Sequence, residues 1–376
     1  MCVVGSAALA EACRRAGIPG PRVADVDLAW LLSVDDGEAL LRRHGAFRPT
    51  TAHNRARGTL AIEAAGMRLE ITTLRGEPPP DATIEQRIDL DLSLRDMTVG
   101  ALAWRLSTDR IHDPMHGLAD WRARRVVACG DPAARVREHP IRLMRYYRRA
   151  HEWGFDLDPR VRKLRGGDFG LATLPAEALA AELRAALLRC ASPGRLLHEL
   201  AEAGALAAVA PELAPQFDGR PAGPLRYHPE VSQALHLILA LEWAVERTAP
   251  LPAEDRLAVA VAVLTHDLGK NLTPPREWPS HRGHEEAGLP LVDRLLDRFP
   301  GLADARTRRL ARAVCALHLH ARNLDALRSR TIARLYREWW QWNAFPVALF
   351  AAAVGADAGG RLGLAAEGDR VRAAVE

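Results

Sequence analysis

Two pairs of side chains in this sequence have the types and spacing to do chemistry. The first is Asp25 and Asp27, two residues apart in Arg22-Val-Ala-Asp-Val-Asp-Leu28. On a strand such residues share one face, where two carboxylates repel each other unless a cation lies between them. A divalent metal such as Mg²⁺ relieves that repulsion and holds a polyphosphate in place. A later strand-like run, Met67 to Leu74, is expected to bring Glu70 alongside as a third carboxylate. The second pair is His266 and Asp267, adjacent at the end of a nearly all-apolar stretch from about Leu257 to Leu268. A helix that is apolar all round is a buried one, and Gly269 reads as its stop signal. A buried imidazole beside a buried carboxylate is costly unless something satisfies both. A divalent metal does so, and the residues leave its identity open. Further ligand candidates lie nearby: His236 on an earlier helix, His281 and His284 beside Glu285 and Glu286 after a Pro-rich loop, and His318 and His320 on a later helix.

The elements that position these groups fall into three stretches. Residues 1–105 carry the β signals. Cys2 to Val4 reads as a strand that starts at once, with almost no leader; Gly5-Ser6 makes a turn, Ala7 to Ala16 a helix, and two further strand-like runs follow. Residues 106–225 read as helical, with apolar residues at helical spacing from Leu174 to Cys190 and from Pro193 to Ala210. Phe217-Asp-Gly-Arg-Pro-Ala-Gly-Pro224 is the best boundary before a helical segment, 226–376. Aromatics make up only 5% and Ala and Leu dominate, which favours helix over sheet. The formal net charge is +4, and Lys163 and Lys270 are the only lysines. The basic character is therefore carried by arginine, which binds phosphate bidentately, or reflects a compositional bias toward Arg and Ala. The five cysteines, Cys2, Cys13, Cys129, Cys190 and Cys315, are scattered without a paired motif and point to reduced thiols in a cytoplasm. No apolar run reaches membrane-spanning length.

The His266-Asp267 stretch resembles the HD phosphohydrolase superfamily, and a Gly-Ser turn, a helix and Asp25-x-Asp27 resemble the nucleotidyltransferase superfamily. Longer motifs join the two. Asp91-Leu-Ser-Leu-Arg95-Asp96-Met-Thr-Val-Gly-Ala-Leu102, then Asp113-Pro114-Met-His-Gly117-Leu-Ala-Asp120, then Glu138-His139-Pro140-Ile-Arg142-Leu-Met-Arg145 occur in order. Tyr227-His228-Pro229-Glu230 and Pro279-Ser-His-Arg-Gly-His-Glu285 frame the HD stretch. As a set they resemble the bacterial CCA-adding tRNA nucleotidyltransferases that carry a C-terminal HD domain, over almost the whole chain.

The resemblance implies an α+β chain: a small nucleotidyltransferase-type mixed α/β head, a mostly helical neck and body, and an all-α HD domain. Asp25 and Asp27 would hold Mg²⁺ against a triphosphate and the tRNA 3′-hydroxyl. Gly5 and Ser6 would offer backbone N–H groups to phosphates, Arg95 would support the nucleotide, Arg142 would contact the base edge, and Arg145 would help hold the nucleotide. The implied partners are tRNA, CTP and ATP. In the HD domain a divalent metal would be held by His266 and Asp267 with His236 and Asp357, whose Ala-Asp-Ala-Gly-Gly-Arg361 setting resembles the family's turn; His281 and His284 are secondary candidates, and His228 is expected to be structural. The chemistry implied there is hydrolysis of 2′,3′-cyclic phosphates and phosphomonoesters. Arg148, Arg149, Arg160, Arg162 and Arg165 are candidates for an RNA-facing surface.

Departures from the family pattern cluster in the nucleotide pocket. Leu9 stands where an arginine should face the triphosphate, Leu94 replaces the first Arg of Arg-Arg-Asp, Gly100 replaces Asn, and Ala178 replaces Arg. His139 replaces the Asp expected to pair with Arg142 in selecting C and A. An ionised Asp only accepts hydrogen bonds, whereas a neutral His offers one donor and one acceptor. Three readings therefore compete: an active CCA-adding enzyme with an altered pocket, a phosphohydrolase whose degenerate head positions RNA, and a non-catalytic RNA-binding protein. Retention of both Asp25 and Asp27 favours the first, since a decayed site should lose mutually repelling carboxylates.

Overall fold

The structure, a computed structural model, describes residues 1–64, 67–166, 169–324, 327–342 and 346–376. It divides into two compact units, one made of Met1–Arg142 with Gly154–Lys163 and the other of Leu143–Trp153 with Leu164–Glu376.

The first unit is built on a mixed sheet. Its strands are β1 (Cys2–Val4), β2 (Asp27–Trp30), β3 (Phe47–Arg48), β4 (Thr59–Ala64), β5 (Met67–Thr73), β6 (Ala103–Arg105) and β7 (Arg110–His112), ordered β3-β4-β5-β2-β1-β6-β7. Only β2 and β5 pair in parallel; the other neighbours are antiparallel. Side chains alternate across the pleat, so Cys2, Val4 and Ala29 pack against Ile88 and Leu92 of the helix Ile84–Ser93, while Val3, Leu28 and Ile71 pack with Leu41 on the opposite face. The strand β2 begins at Asp27, so Asp25 lies ahead of it and not on it. The cause is pairing: β1 ends at Val4, opposite Asp27, and the chain then turns at Gly5 with φ of 69°.

The Asp113-to-Asp120 segment is held by its own side chains. Asp113 accepts from the amides of Gly117 (2.6 Å) and Leu118 (3.0 Å) at the start of the helix Gly117–Arg122. Asp120 accepts from the Thr98 hydroxyl at 2.8 Å and from Arg125 at 2.7 Å. A Cβ at position 117 would overlap the Thr98 carbonyl, so only glycine lets the two segments approach. A short parallel pair, β8 (Arg125–Val126) and β9 (Asp156–Leu157), completes this unit in a stretch expected to be wholly helical.

The second unit is helical among its described residues. The periodic run from Pro193 to Ala210 is two helices, Pro193–Glu202 and Ala205–Val209, because Gly204 breaks it with φ of 80°. Its core is the helix Ala253–Thr265, buried along its length from Leu257 onward and packed on the helices Gln233–Thr248, Ala305–Arg322 and Val347–Gly359. The helix ends at Thr265, earlier than expected, and a 3₁₀ turn covers Leu268–Leu272. Gly269 thus marks a close approach and not the helix stop. Arg148 is buried between Glu182 and Glu152 (2.5 Å each), so it ties helices together and does not face an RNA surface. Among the described residues no helix is long and apolar enough to cross a membrane.

Candidate functional site

In the first unit the sheet register sets Glu70 of β5 directly beside Asp27 of β2. Both project from the face that carries Cys2, Val4 and Ala29. Gly5 closes over this pair: a Cβ there would lie 3.5 Å from Asp27 Oδ2 and 4.0 Å from Arg95 Nη1. Gly5 also precedes the helix Ser6–Arg15, whose first amides have no side-chain cap, as a helix start that receives an anion does. Asp27 is held above the usual carboxylate range, chiefly by burial of its carboxyl in the cleft, then by Asp25, with Arg95 opposing and Glu70 adding to the rise. A carboxyl held in this way beside further carboxylates belongs to a donor set for a divalent cation. Asp25, Asp27 and Glu70 thus belong to one neighbourhood, with Asp25 supplied by the irregular segment before β2.

Arg95 is anchored on buried Asp91 through Nε (3.1 Å) and Nη2 (2.9 Å). Arg142 is buried, and its guanidinium donates to Glu138 (2.8 Å) and to the carbonyls of Arg135 (3.1 Å) and Leu94 (2.9 Å). The carboxylate that holds Arg142 is therefore Glu138, one residue before the position where the family has Asp. His139 is pushed below the usual imidazole range, first by burial and then by Arg142. Its ring is therefore neutral near pH 7. Leu9 is buried in the inner face of its helix. Arg145 belongs to the second unit, where its Nε meets Glu182 at 3.0 Å.

In the second unit four histidines converge. His236, His266, His284 and His318 each turn Nδ1 onto a backbone carbonyl, at 3.0 Å from Gly360, 2.7 Å from Val263, 2.8 Å from His281 and 3.1 Å from Val314. A carbonyl only accepts, so each Nδ1 carries the hydrogen and each Nε2 presents a lone pair inward. Yet the Nε2 atoms of His236 and His266 stand 3.3 Å apart, and those of His284 and His318 stand 3.4 Å apart. Two lone pairs cannot bond to each other, so protons or a cation must sit between them.

Two carboxylates complete the group. Asp357 Oδ1 lies 3.3 Å from His236 Nε2 and 3.7 Å from His266 Nε2. Asp267 turns Oδ2 toward His266 (3.3 Å) and His236 (3.8 Å), and Oδ1 toward His284 (3.2 Å) and His318 (3.6 Å). All six residues are buried. Asp267 Oδ1 and Asp357 Oδ2 make no hydrogen bond among the described residues. His236, His266 and Asp357 form one set within metal-binding reach; Asp267, His284 and His318 form another. Oriented imidazole nitrogens, orphaned carboxylate oxygens and full burial fit one or two divalent cations.

The surroundings fit the same role. Burial would lower the His236 imidazole, but Asp357 and Glu230 outweigh it and lift it to about 9. Bound metal would displace that proton. Glu230 Oε1 sits behind His236 Nδ1 at 3.1 Å and also takes His228 Nδ1 at 2.7 Å, the carboxylate support that metal-binding histidines use. Lys270 Nζ meets Asp267 Oδ2 at 2.6 Å. A cleft of about 530 Å³ adjoins the cluster, its walls carrying Lys270, Arg282, Arg322, Arg361, His228 and Tyr227. Those cations suit a phosphate group.

Of the residues expected here, the structure brings together His236, His266, Asp267 and Asp357. His284, a secondary candidate, and His318 join them. His281 does not: its Nε2 faces the Pro221 carbonyl at 2.8 Å. Lys270, Glu230, Arg322 and, in the first unit, Arg75 were not anticipated. The local signal for Lys270 was its position three residues after Asp267 on a tight turn; Arg75 had none beyond its place just after a strand.

Gly269 sets the distance between the two halves of the cluster. A Cβ there would overlap the His284 carbonyl oxygen and crowd the Gly288 amide. Gly269→Ala is expected to cost about 1–3 kcal/mol through overpacking. It should also lower bound metal by displacing His284, and thermal melting alongside elemental analysis checks both effects.

A Poly A polymerase head domain model matches residues 15–127. The multifunctional CCA protein of Methylococcus capsulatus is 36% identical over 264 residues, covering 68% of this chain and 57% of that protein. The multifunctional CCA protein of Alkalilimnicola ehrlichii is 37% identical over 294 residues, covering 76% of this chain and 66% of that protein. The chain thus spans less than two thirds of the length of these relatives. Among solved structures, a tRNA-processing enzyme in an apo form superposes with TM-score 0.59 at 18% identity, covering 100% of this chain and 95% of that one. A tRNA nucleotidyltransferase with a primer tRNA and an incoming ATP analogue gives TM-score 0.57 at 19% identity, covering 93% of this chain and 89% of that one. The mixed-sheet head and the helical body define the nucleotidyltransferase type of α+β fold. With the sequence identities above, the chain belongs to the family of the bacterial multifunctional CCA proteins.

Proposed function

We propose that this chain is a tRNA nucleotidyltransferase that adds or repairs the 3′-terminal CCA of tRNA from CTP and ATP. We propose further that its HD domain is a divalent-metal phosphohydrolase for 2′,3′-cyclic phosphates and phosphomonoesters. In this reading residues 1–105 are the transferase head, 106–225 a neck and body that cradle nucleotide and tRNA, and 226–376 the HD domain. The observation that carries the transferase is the register of Asp27 against Glu70, with Gly5 closed over Asp27 Oδ2.

Mg²⁺ held by Asp25, Asp27 and Glu70 would supply the charge that steadies an in-line displacement at the α-phosphate, with pyrophosphate leaving. The chain's own groups do the rest. The amides after Gly5, with Ser6, receive phosphate oxygens at a helix start. Arg95, braced by Asp91, supports the nucleotide. His139 and Arg142 meet the base edge. In the HD domain, metal held by His236, His266, Asp267, Asp357, His284 and His318 would activate water against a phosphoester. Lys270 and the cleft arginines orient that phosphoester by its charge.

The test is incubation with tRNA lacking its CCA end, Mg²⁺ and each labelled nucleotide in turn. Incorporation of C and then A is expected. No incorporation, alongside metal-dependent release of phosphate from a 2′,3′-cyclic nucleotide, would favour the second reading, a phosphohydrolase whose degenerate head positions RNA. Leu9 and His139 are the residues that favour that alternative.

His139 bears on selection. A neutral imidazole beside Arg142 offers one donor and one acceptor, whereas a carboxylate only accepts. His139→Asp is expected to sharpen incorporation of CTP and ATP over GTP and UTP by roughly tenfold, the worth of one hydrogen bond to a charged group. Competition between labelled nucleotides reads this ratio, and an unchanged profile would mean that residue 139 does not face the base.

A further inference from the structure

The resemblance calls for an arginine at position 9 facing the triphosphate, and Leu9 is instead packed into the core at 1% exposure. A cation for the phosphates must then come from elsewhere in the head. Arg75 follows β5 by two residues, on the strand that carries Glu70. Its amide donates to Asp91 Oδ1 at 3.0 Å, and its Nε lies 3.9 Å from the same oxygen. The other oxygen, Oδ2, is the one that anchors Arg95. One buried carboxylate thus holds two guanidinium groups side by side, leaving an excess positive charge. Gly76, with φ of 87°, packs on Leu90 and Leu94 and fixes the turn immediately after Arg75.

Through the shared Asp91, Arg75 neighbours Arg95, whose Nη1 lies 4.0 Å from where a Cβ on Gly5 would stand. The charge of Arg75 reaches Asp27 and His139, as a minor contribution to each. Its side chain is 46% exposed, so part of it is open to solvent. Its guanidinium is held below the usual arginine range, first by burial and then by Arg95, with Asp91 and Asp96 opposing. Two guanidinium groups that share one carboxylate leave a positive charge that suits an anionic ligand.

We propose that Arg75 supplies, from the end of β5, the guanidinium for the nucleoside triphosphate that position 9 lacks. This rests on the transferase reading of the head. Arg75 is a binding residue, with Arg95 as its neighbour on the phosphates, and it acts on every nucleotide alike because it meets no base.

The test compares the full chain with Arg75→Ala and Arg75→Lys. Binding of CTP and of ATP is measured at equilibrium, with inorganic tripolyphosphate as competitor, and KM is measured for each nucleotide and for tRNA. Arg75→Ala should weaken CTP and ATP by the same factor, roughly 10- to 100-fold, as loss of a charge-assisted contact does. It should weaken tripolyphosphate equally and leave the KM for tRNA unchanged; Arg75→Lys should recover part of the loss. Wild-type affinity for nucleotides and tripolyphosphate in a folded Arg75→Ala protein would overturn the proposal while leaving the transferase reading intact. A lower melting temperature with unchanged nucleotide affinity would do the same, reducing Arg75 to a brace for Asp91. If the unaltered chain binds neither CTP nor tripolyphosphate, the proposal and the transferase reading fall together.

Discussion

Asp27→Ala is expected to abolish the proposed nucleotide addition, by on the order of a thousand-fold or about 4 kcal/mol of barrier, and to leave the proposed metal-dependent phosphohydrolysis at its original rate. The expectation follows from where Asp27 stands. It is the first residue of β2, next to Glu70 across a parallel register and beneath Gly5. No neighbouring carboxylate takes its place. Asp25 comes from an irregular segment, and Glu70 is already engaged by Asn54 Nδ2 at 3.3 Å. The substitution also removes a strained acid from a cleft, so the fold should keep or gain stability and a folding defect does not confuse the result. Addition of labelled C to a truncated tRNA, run beside hydrolysis of a 2′,3′-cyclic nucleotide, reads both activities in one preparation. Equal loss of both would contradict two separate sites.

Asp267→Ala is expected to do the converse and to destabilise the protein as well. This side chain alone reaches both histidine sets, one oxygen to each. Removing it should empty the cluster of divalent metal and lower phosphohydrolysis by roughly a thousand-fold, again about 4 kcal/mol. It also strands buried Lys270, whose ammonium group then keeps only the Ala222 carbonyl at 2.7 Å. Breaking a buried pair from one side costs about 3–5 kcal/mol. Asp267 is held well below the usual carboxylate range: burial opposes this, but His266 and Lys270 outweigh it. The stabilisation it gives is thus present above the unfolded carboxylate pKa and is lost as pH falls through the folded one. Wild-type protein should lose stability on acidification, and Asp267→Ala should flatten that dependence. Metal analysis and melting curves at several pH values check this, and a variant that retained full metal content would remove Asp267 from the ligand set.

The placement of the candidate site residues was legible where it depends on residue type and short-range spacing. Asp27 and Glu70 are each placed by strand alternation, and His266 and Asp267 by ending an all-apolar helix. What was not legible depends on tertiary pairing. Asp25 was expected on the strand, but β1 stops two residues short of the partner it would need. His281 and His284 are three residues apart with similar surroundings in sequence. One faces a carbonyl on a distant loop and the other enters the cluster, because α-helix begins at His284 and aims its ring inward. The run from Pro193 to Ala210 has helical periodicity throughout, and only the left-handed Gly204 divides it. The short β8–β9 pair has too few residues for any pattern. Arg148 carries a charge that reads as surface and is buried because two carboxylates meet it.

The two lysines offer an unplanned reporter. Lys163 is exposed, whereas Lys270 is buried with its amine shared between Asp267 and Ala222. An amine-directed acylating reagent will therefore modify Lys163 readily and spare Lys270 for as long as the HD cluster stays closed. The ratio of the two modified peptides records how often that interior opens, with an internal standard in the same chain and no engineered label.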